Sequence, residues 1–188
     1  NAPDVLTETT ADFGFALLMA TARRISESEH FLRAGHWTRW SYDMFAGADV
    51  HGSTLGIIGM GRIGQGIARR GALGFGMKVV YHNRSRLDAA IETECRASYV
   101  SKAELLKTAD HVVLVVPYSA ASHHTIGAAE LALAMGTAAR AENPHGGGSG
   151  VAPDRGQVLA GLIDLELAAQ RAVALGLDAD PGYRDELA

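Results

Sequence analysis

The run Gly59-Met60-Gly61-Arg62-Ile63-Gly64 constrains the fold of this 188-residue chain more than any other feature. The Gly-x-Gly-x-x-Gly pattern alone says little in a chain with 22 glycines, but its context says more. A β-rich run, Leu55 to Ile58, leads directly into it, and a helical stretch from Ile63 to Leu73 leaves it. A second β-rich run follows at Lys78 to Tyr81, and Asn83, at its end, falls nineteen residues after Gly64. Strand, tight turn, helix and strand in that order and spacing make a βαβ unit of the dinucleotide-binding kind. Each glycine has its own role there. Gly59 permits the tight turn, Gly61 lets the backbone approach a pyrophosphate, and Gly64 lets helix and strand pack closely. N–H groups near Arg62 and Ile63 then face the phosphates, aided by the positive end of the helix dipole.

A second unit continues the pattern, with a short strand at Ala97 to Val100, a helix at Lys102 to Thr108 and an apolar run from Val112 to Val116. Apolar runs buried on both faces belong to parallel sheets. The fold class expected is therefore α/β: a Rossmann-type, doubly wound parallel sheet with helices on both faces. It is preceded by one long interdomain or dimerisation helix from Ala11 to about Leu32, capped by Thr9 and Thr10. Trp37, Trp40, Tyr42 and Phe45 then form an aromatic-rich connection suited to packing or subunit contact. The domain boundaries follow: 1–50 for the helix and aromatic arm, 51–133 for the dinucleotide-binding core, and 134–188 for an Ala/Gly-rich part. That last part, with a helix at Gln157 to Val173 and a strand at Val173 to Leu177, would complete the sheet.

The end of the second strand selects between cofactors. An NAD-preferring site places Asp or Glu there to hold the ribose 2′-hydroxyl, whereas this chain has Asn83-Arg84-Ser85. A carboxylate would repel a 2′-phosphate; Arg84 can pair with one, and Asn83 and Ser85 can donate hydrogen bonds. NADP is expected, with NAD as the alternative. The alternative for Arg84 and Arg86 is a solvated helix start.

Composition narrows the partners. A net charge of −4 with scattered basic residues is not the footprint of a nucleic-acid binder. No apolar run approaches the roughly 20 residues that cross a bilayer. No membrane partner and no signal peptide are expected, and the start at Asn1 reads as a cut. A single cysteine, Cys95, excludes an internal disulfide and fits a cytoplasmic protein.

Several stretches together resemble the D-isomer-specific 2-hydroxyacid dehydrogenases, and within them the glyoxylate/hydroxypyruvate reductase branch. They are Asn1-Ala2-Pro3, Glu8-Thr9-Thr10-Ala11-Asp12, Leu55 through Gly64, Ala72-Leu73-Gly74-Phe75-Gly76-Met77, and Val116-Pro117 leading to Ile126-Gly127. The resemblance is close to about Leu133. It implies a two-domain, homodimeric enzyme moving hydride between NAD(P)H and a small 2-keto or 2-hydroxy acid such as glyoxylate or hydroxypyruvate. Val116 and Pro117 would line the adenine end, and Ser122, where the family usually has Thr, would touch a phosphate.

Such chemistry also needs a cation to clamp the substrate carboxylate, an acid to protonate the carbonyl oxygen and a carboxylate to orient that acid. The resemblance places an Arg before Gly, a His, and a Glu before Pro in these roles. Arg155-Gly156, 23 residues before Asp178 of Gly176-Leu177-Asp178, makes Arg155 the candidate catalytic arginine. Asp180-Pro181 falls several residues early and carries the shorter acid. The last histidine is His145, upstream of Arg155, so no residue inherits the acid's role, and the resemblance implies a substrate domain that would precede Asn1. The change of character at Ala134 fits either a genuine variant or a shift of reading frame. Three readings stay open: the cofactor-binding portion of such an oxidoreductase, a non-catalytic nucleotide-sensing or dimerisation module, and a related phosphoglycerate or formate dehydrogenase.

Overall fold

Side-chain alternation along two short strands decides how the chain is layered. In β1 (Thr54–Ile58) and β2 (Lys78–His82), Leu55, Ile57, Val79 and Tyr81 enter one core cluster. Ile58 and Val80 enter another. A strand buried alternately on both sides needs a helical layer against each face. In the computed structural model, which describes residues 6–117, 119–120 and 122–138, both layers are present. Arg155, Asp180-Pro181, Gln157 to Val173 and Val173 to Leu177 lie outside the described residues.

The remaining strands are β3 (Ala97–Tyr99) and β4 (His111–Leu114), and the sheet runs β3-β2-β1-β4 with every pairing parallel. One face carries α1 (Thr7–Ala22), α3 (Arg62–Arg69, continuing as a wider turn through Gly74) and α4 (Ala89–Cys95). The other carries α5 (Lys102–Thr108), against which α6 (Ala128–Ala138) packs. This is the doubly wound arrangement expected. The βαβ units place the loops that follow β1, β2 and β4 at one end of the sheet, the end at which such folds bind ligands.

The expected helix from Ala11 to Leu32 is two helices. α1 starts at Thr7, with Leu6 at its N-cap, so Thr9 and Thr10 sit inside the helix rather than capping it. It stops at Arg23, and α2 (Ile25–Arg33) begins after Arg24 in the left-handed region, at φ +54°. Two contacts account for the break. The Arg24 guanidinium grips Glu27 through two hydrogen bonds of 2.7 and 2.6 Å and lies 5.2 Å over the Phe45 ring. The aromatic arm also returns to the helix end, where the Ala48 N–H donates to the Ala22 carbonyl at 2.9 Å. The arm supplies a C-cap that helical periodicity cannot foresee.

α1 is fastened to α3 by apolar contact from Ala11 and Phe15 and by ions. Arg70 reaches Asp12 and Glu8, while Arg69 bridges Glu8 and Glu94 at 3.0 and 3.1 Å. The expected strand from Val112 to Val116 is β4, one residue earlier and shorter. It is not buried on both faces: Val112 and Leu114 are 41% and 48% exposed. β4 is the outer strand of the described sheet, so only one of its sides is paired.

Candidate cofactor site

The chain leaves β1 at Ile58 and reverses at Gly59, whose φ of +95° suits only glycine. A Cβ there would stand 2.2 Å from the Val115 carbonyl oxygen, and one at Gly64 would stand 2.7 Å from the Gly59 oxygen. Gly61 is different. Its φ is −77°, and no atom lies within 4 Å of where its Cβ would be. The turn is therefore packed tightly behind Gly59 and Gly64 and open in front of Gly61.

α3 begins just past this opening, at the exposed Arg62. Its first intrahelical bond is Gln65 N–H to Gly61 O at 2.9 Å, so the N–H groups of Ile63 and Gly64 have no acceptor among the described residues. Open space beside a cluster of unsatisfied donors at a helix N-terminus fits a pyrophosphate.

The turn is held from β2. The Gly59 N–H donates to the His82 carbonyl at 3.0 Å, and the Met60 N–H donates to Asn83 Oδ1 at 2.7 Å. Asn83 Nδ2 lies 3.5 Å from the Met60 oxygen. The Asn83 side chain, expected to face a 2′-phosphate, is thus engaged by the turn. From the other side, the Tyr99 hydroxyl donates to the Asn83 carbonyl at 3.2 Å, and the Tyr99 ring stacks on His82.

The loop after Asn83 is anchored at its far end. The hydroxyl of the fully buried Tyr81 donates to Glu92 at 2.8 Å and accepts the Leu87 N–H at 2.8 Å. Burial pushes the Tyr81 hydroxyl above its ordinary pKa. Arg86 closes on the same carboxylate through two bonds of 2.9 and 2.8 Å, and this pairing, with the Tyr81 bond, holds Glu92 below the usual carboxylate range. The two arginines of the loop therefore differ: Arg86 is committed to Glu92, whereas the exposed Arg84 has no partner among the described residues. Ser85 is exposed beside it.

The third wall comes from the end of β4. The Val115 N–H donates to Ile58 O at 2.8 Å, which draws Val116 against the back of Gly59. Pro117 follows at the surface, and the Ser122 hydroxyl donates to its carbonyl at 2.6 Å while accepting the Ser119 N–H at 2.7 Å. The structure thus gathers Gly59, Gly61, Ile63, Gly64, Asn83 and Val116 around one turn, with Ser122 folded into its own loop. A separate shallow depression, lined by Lys102, Leu106, Ala129 and Leu133, belongs to the seam between α5 and α6. There Lys102 is occupied by Glu130 at 2.8 Å and by the Thr125 carbonyl at 3.2 Å. Burial pushes the Cys95 thiol up in pKa, as befits a packing residue.

Sequence reasoning missed the Asn83–Met60 contact and the Tyr81–Glu92–Arg86 cluster. A signal for the second existed, because a tyrosine in a buried strand needs a partner for its hydroxyl. The first depends on how the turn bends back toward β2.

Residues 15–139 match the pattern of the D-isomer specific 2-hydroxyacid dehydrogenase, NAD binding domain. A glyoxylate reductase of Thermococcus gammatolerans is 51% identical over 142 residues, and one of Thermococcus kodakarensis is 49% identical; each alignment covers 73% of this chain and 42% of the relative. The chain thus spans about two fifths of the length of these relatives. Among solved structures, TT0316 protein from Thermus thermophilus is 43% identical at a TM-score of 0.62, covering 70% of this chain and 40% of that one. A glyoxylate reductase from Paecilomyes thermophila is 38% identical at 0.60, covering 70% and 38%. With the glycine turn, the parallel sheet and the match over residues 15–139 in agreement, the chain belongs to the D-isomer specific 2-hydroxyacid dehydrogenase family, whose NAD-binding domain it carries.

Proposed function

We propose that this chain is the cofactor-holding part of an NADP-preferring oxidoreductase that transfers hydride between NADPH and a small 2-keto acid, glyoxylate or hydroxypyruvate. The observation that carries the reading is the unpartnered, exposed Arg84 at the end of β2, in a loop whose residues 83–85 include no carboxylate. A free guanidinium at that place suits a 2′-phosphate and offers nothing specific to a 2′-hydroxyl. The similarity to glyoxylate reductases supports the substrate class.

The nicotinamide cofactor, when bound, supplies the hydride. The chain's own part is to receive the pyrophosphate on the Ile63 and Gly64 N–H groups beside Gly61, with Arg62 at the mouth. Val116 and Pro117 flank the adenine side, Ser122 reaches a phosphate only by releasing the Pro117 carbonyl that its hydroxyl now holds, and Arg84 and Ser85 meet the 2′ position. Arg155 is the proposed clamp for the substrate carboxylate. A cytoplasmic homodimer belongs to the same proposal. It is supported by the single cysteine and by the apolar surface of Phe13 and Leu17 on α1 with Trp37, Trp40 and Tyr42 in the arm.

Titration of the chain with NADPH and NADH, repeated with Arg84→Ala, tests the cofactor reading. The substitution is expected to weaken NADPH about tenfold, a charge-assisted contact at an exposed site, and to leave NADH within about twofold. Equal losses for both nucleotides would refute the 2′-phosphate role of Arg84.

A further inference from the structure

Asn83 stands where a residue reading the ribose would stand, yet both ends of its amide face the glycine turn. Oδ1 accepts the Met60 N–H at 2.7 Å, and Nδ2 lies 3.5 Å from the Met60 carbonyl. Met60 is completely buried, and Asn83 is the one acceptor of its N–H among the described residues. A buried N–H without a partner costs the full desolvation of that group, so this contact matters to the turn. Asn83 is itself fixed, since its carbonyl accepts the Tyr99 hydroxyl at 3.2 Å and its neighbour His82 both stacks on Tyr99 and receives the Gly59 N–H.

We infer that Asn83 is a positioning residue for the glycine turn, fixing Met60 so that the Ile63 and Gly64 N–H groups point at a pyrophosphate, while discrimination at the 2′ position falls to Arg84. The inference rests on the dinucleotide-binding reading and deepens it. It makes affinity and preference separable, because Asn83 governs the binding of both nucleotides and Arg84 governs the choice between them.

It also gives asparagine a reason to be here that has nothing to do with the 2′ group. A carboxylate could accept the Met60 N–H, but its second oxygen would then face the Met60 carbonyl oxygen where Nδ2 now lies, 3.5 Å away. The amide presents an acceptor to the N–H and a donor to the C=O. Aspartate is thus the imperfect replacement that keeps the acceptor, and leucine is the replacement of similar shape that removes it.

The experiment uses the 188-residue chain with Asn83→Leu and Asn83→Asp. Dissociation constants for NADPH and NADH are measured by nucleotide fluorescence, and Met60 amide exchange by NMR. Asn83→Leu is expected to weaken both nucleotides about tenfold, with their ratio unchanged within about twofold, and to speed Met60 exchange. Asn83→Asp is expected to restore Met60 protection and most of the NADH affinity. A loss confined to NADPH in the leucine variant would make Asn83 a reader of the 2′-phosphate and overturn the inference. So would an unchanged Met60 exchange rate in that variant. If Asn83→Leu does not fold, the aspartate variant decides: folded but without NADH affinity or Met60 protection, it overturns the inference. If the unsubstituted chain binds neither nucleotide, the proposed function fails, and the Met60 exchange rates still decide whether Asn83 clamps the turn.

Discussion

One methyl group, placed at Gly61 or at Gly59, should separate binding from folding. At Gly61 the added Cβ meets no atom within 4 Å, and φ of −77° is comfortable for alanine. Two small effects oppose each other. Replacing glycine at a permissive position stabilises by roughly 0.4–1 kcal/mol through the unfolded chain, and alanine is a poorer N-cap than glycine by about the same amount. Gly61→Ala should therefore unfold in urea within roughly 0.5 kcal/mol of the parent, with the same slope. The methyl group nevertheless occupies the space a pyrophosphate would enter, and nucleotide affinity should fall more than about tenfold. At Gly59 the balance reverses. The φ of +95° costs an L-residue about 1–3 kcal/mol, and the Cβ would sit 2.2 Å from the Val115 oxygen, which forces the turn or the end of β4 to move. Overpacking of that kind adds about 1–3 kcal/mol, for a total of about 4 kcal/mol. With a urea slope of roughly 2 kcal/mol/M, the midpoint should drop by about 2 M. The reasoning is refuted if Gly61→Ala destabilises as much as Gly59→Ala, or if Gly61→Ala binds NADPH as tightly as the parent.

Three further outcomes are expected. Glu130 is held at a pKa of about 2, first by Lys102 and then by the Gly127 N–H and its own backbone. A depressed carboxylate contributes above its ordinary value near about 4.3 and loses that contribution as pH falls toward the folded value. Amide protection in the described part of α6 should fade across that acid window, and Lys102→Met should move the loss to higher pH; an unmoved profile refutes the pairing. If the apolar face of α1 and the arm is a dimer contact, Leu17→Asn with Trp40→Ser should shift the mass seen by light scattering from dimer to monomer, and a monomeric parent would defeat the proposal. Because no histidine lies beyond His145, the 188-residue chain should bind NADPH yet show little glyoxylate-dependent oxidation of it, and robust turnover would overturn that expectation.

How far the sequence discloses the fold varies with the range of the interactions involved. β1, β2 and α5 appear within a residue of where the sequence places them, because Leu55 to Ile58 and Val79 to Tyr81 are short β-rich runs, the first ended by the glycine turn, and Ser101 caps α5 by accepting the Glu104 N–H. The break at Arg23–Arg24 is invisible for the opposite reason. α1 is apolar around much of its girth, with Ala11 and Phe15 buried and Phe13 and Leu17 exposed, so periodicity runs on without a stop signal. What ends the helix is a segment more than twenty residues later, where Ala48 takes the Ala22 carbonyl. The edge character of β4 is hidden in the same way: Val112 through Val116 reads as a buried run, and only the strand order shows that β4 is an outer strand and the exposure of Val112 and Leu114 which face is left uncovered.

The candidate site shows the same division at the level of single atoms. That the chain turns tightly at Gly59, packs closely at Gly64 and stays open at Gly61 is legible, since each follows from the side chain that glycine lacks. That Arg84 and Arg86 are not equivalent is not legible, because the difference lies in Glu92, which is brought to Arg86 by α4 and fixed there by a buried tyrosine. Nor is the engagement of Asn83, which depends on the Met60 N–H turning back toward β2. A sequence motif at the end of β2 records which groups are available; whether each faces the ligand or the protein is set by its neighbours. An Asn-Arg-Ser motif read as three donors to one phosphate is here resolved into one residue whose amide is bonded to the turn and two, Arg84 and Ser85, whose side chains are exposed. Cofactor preference in this fold should accordingly follow the exposed positions of that loop more closely than the position that ends the strand.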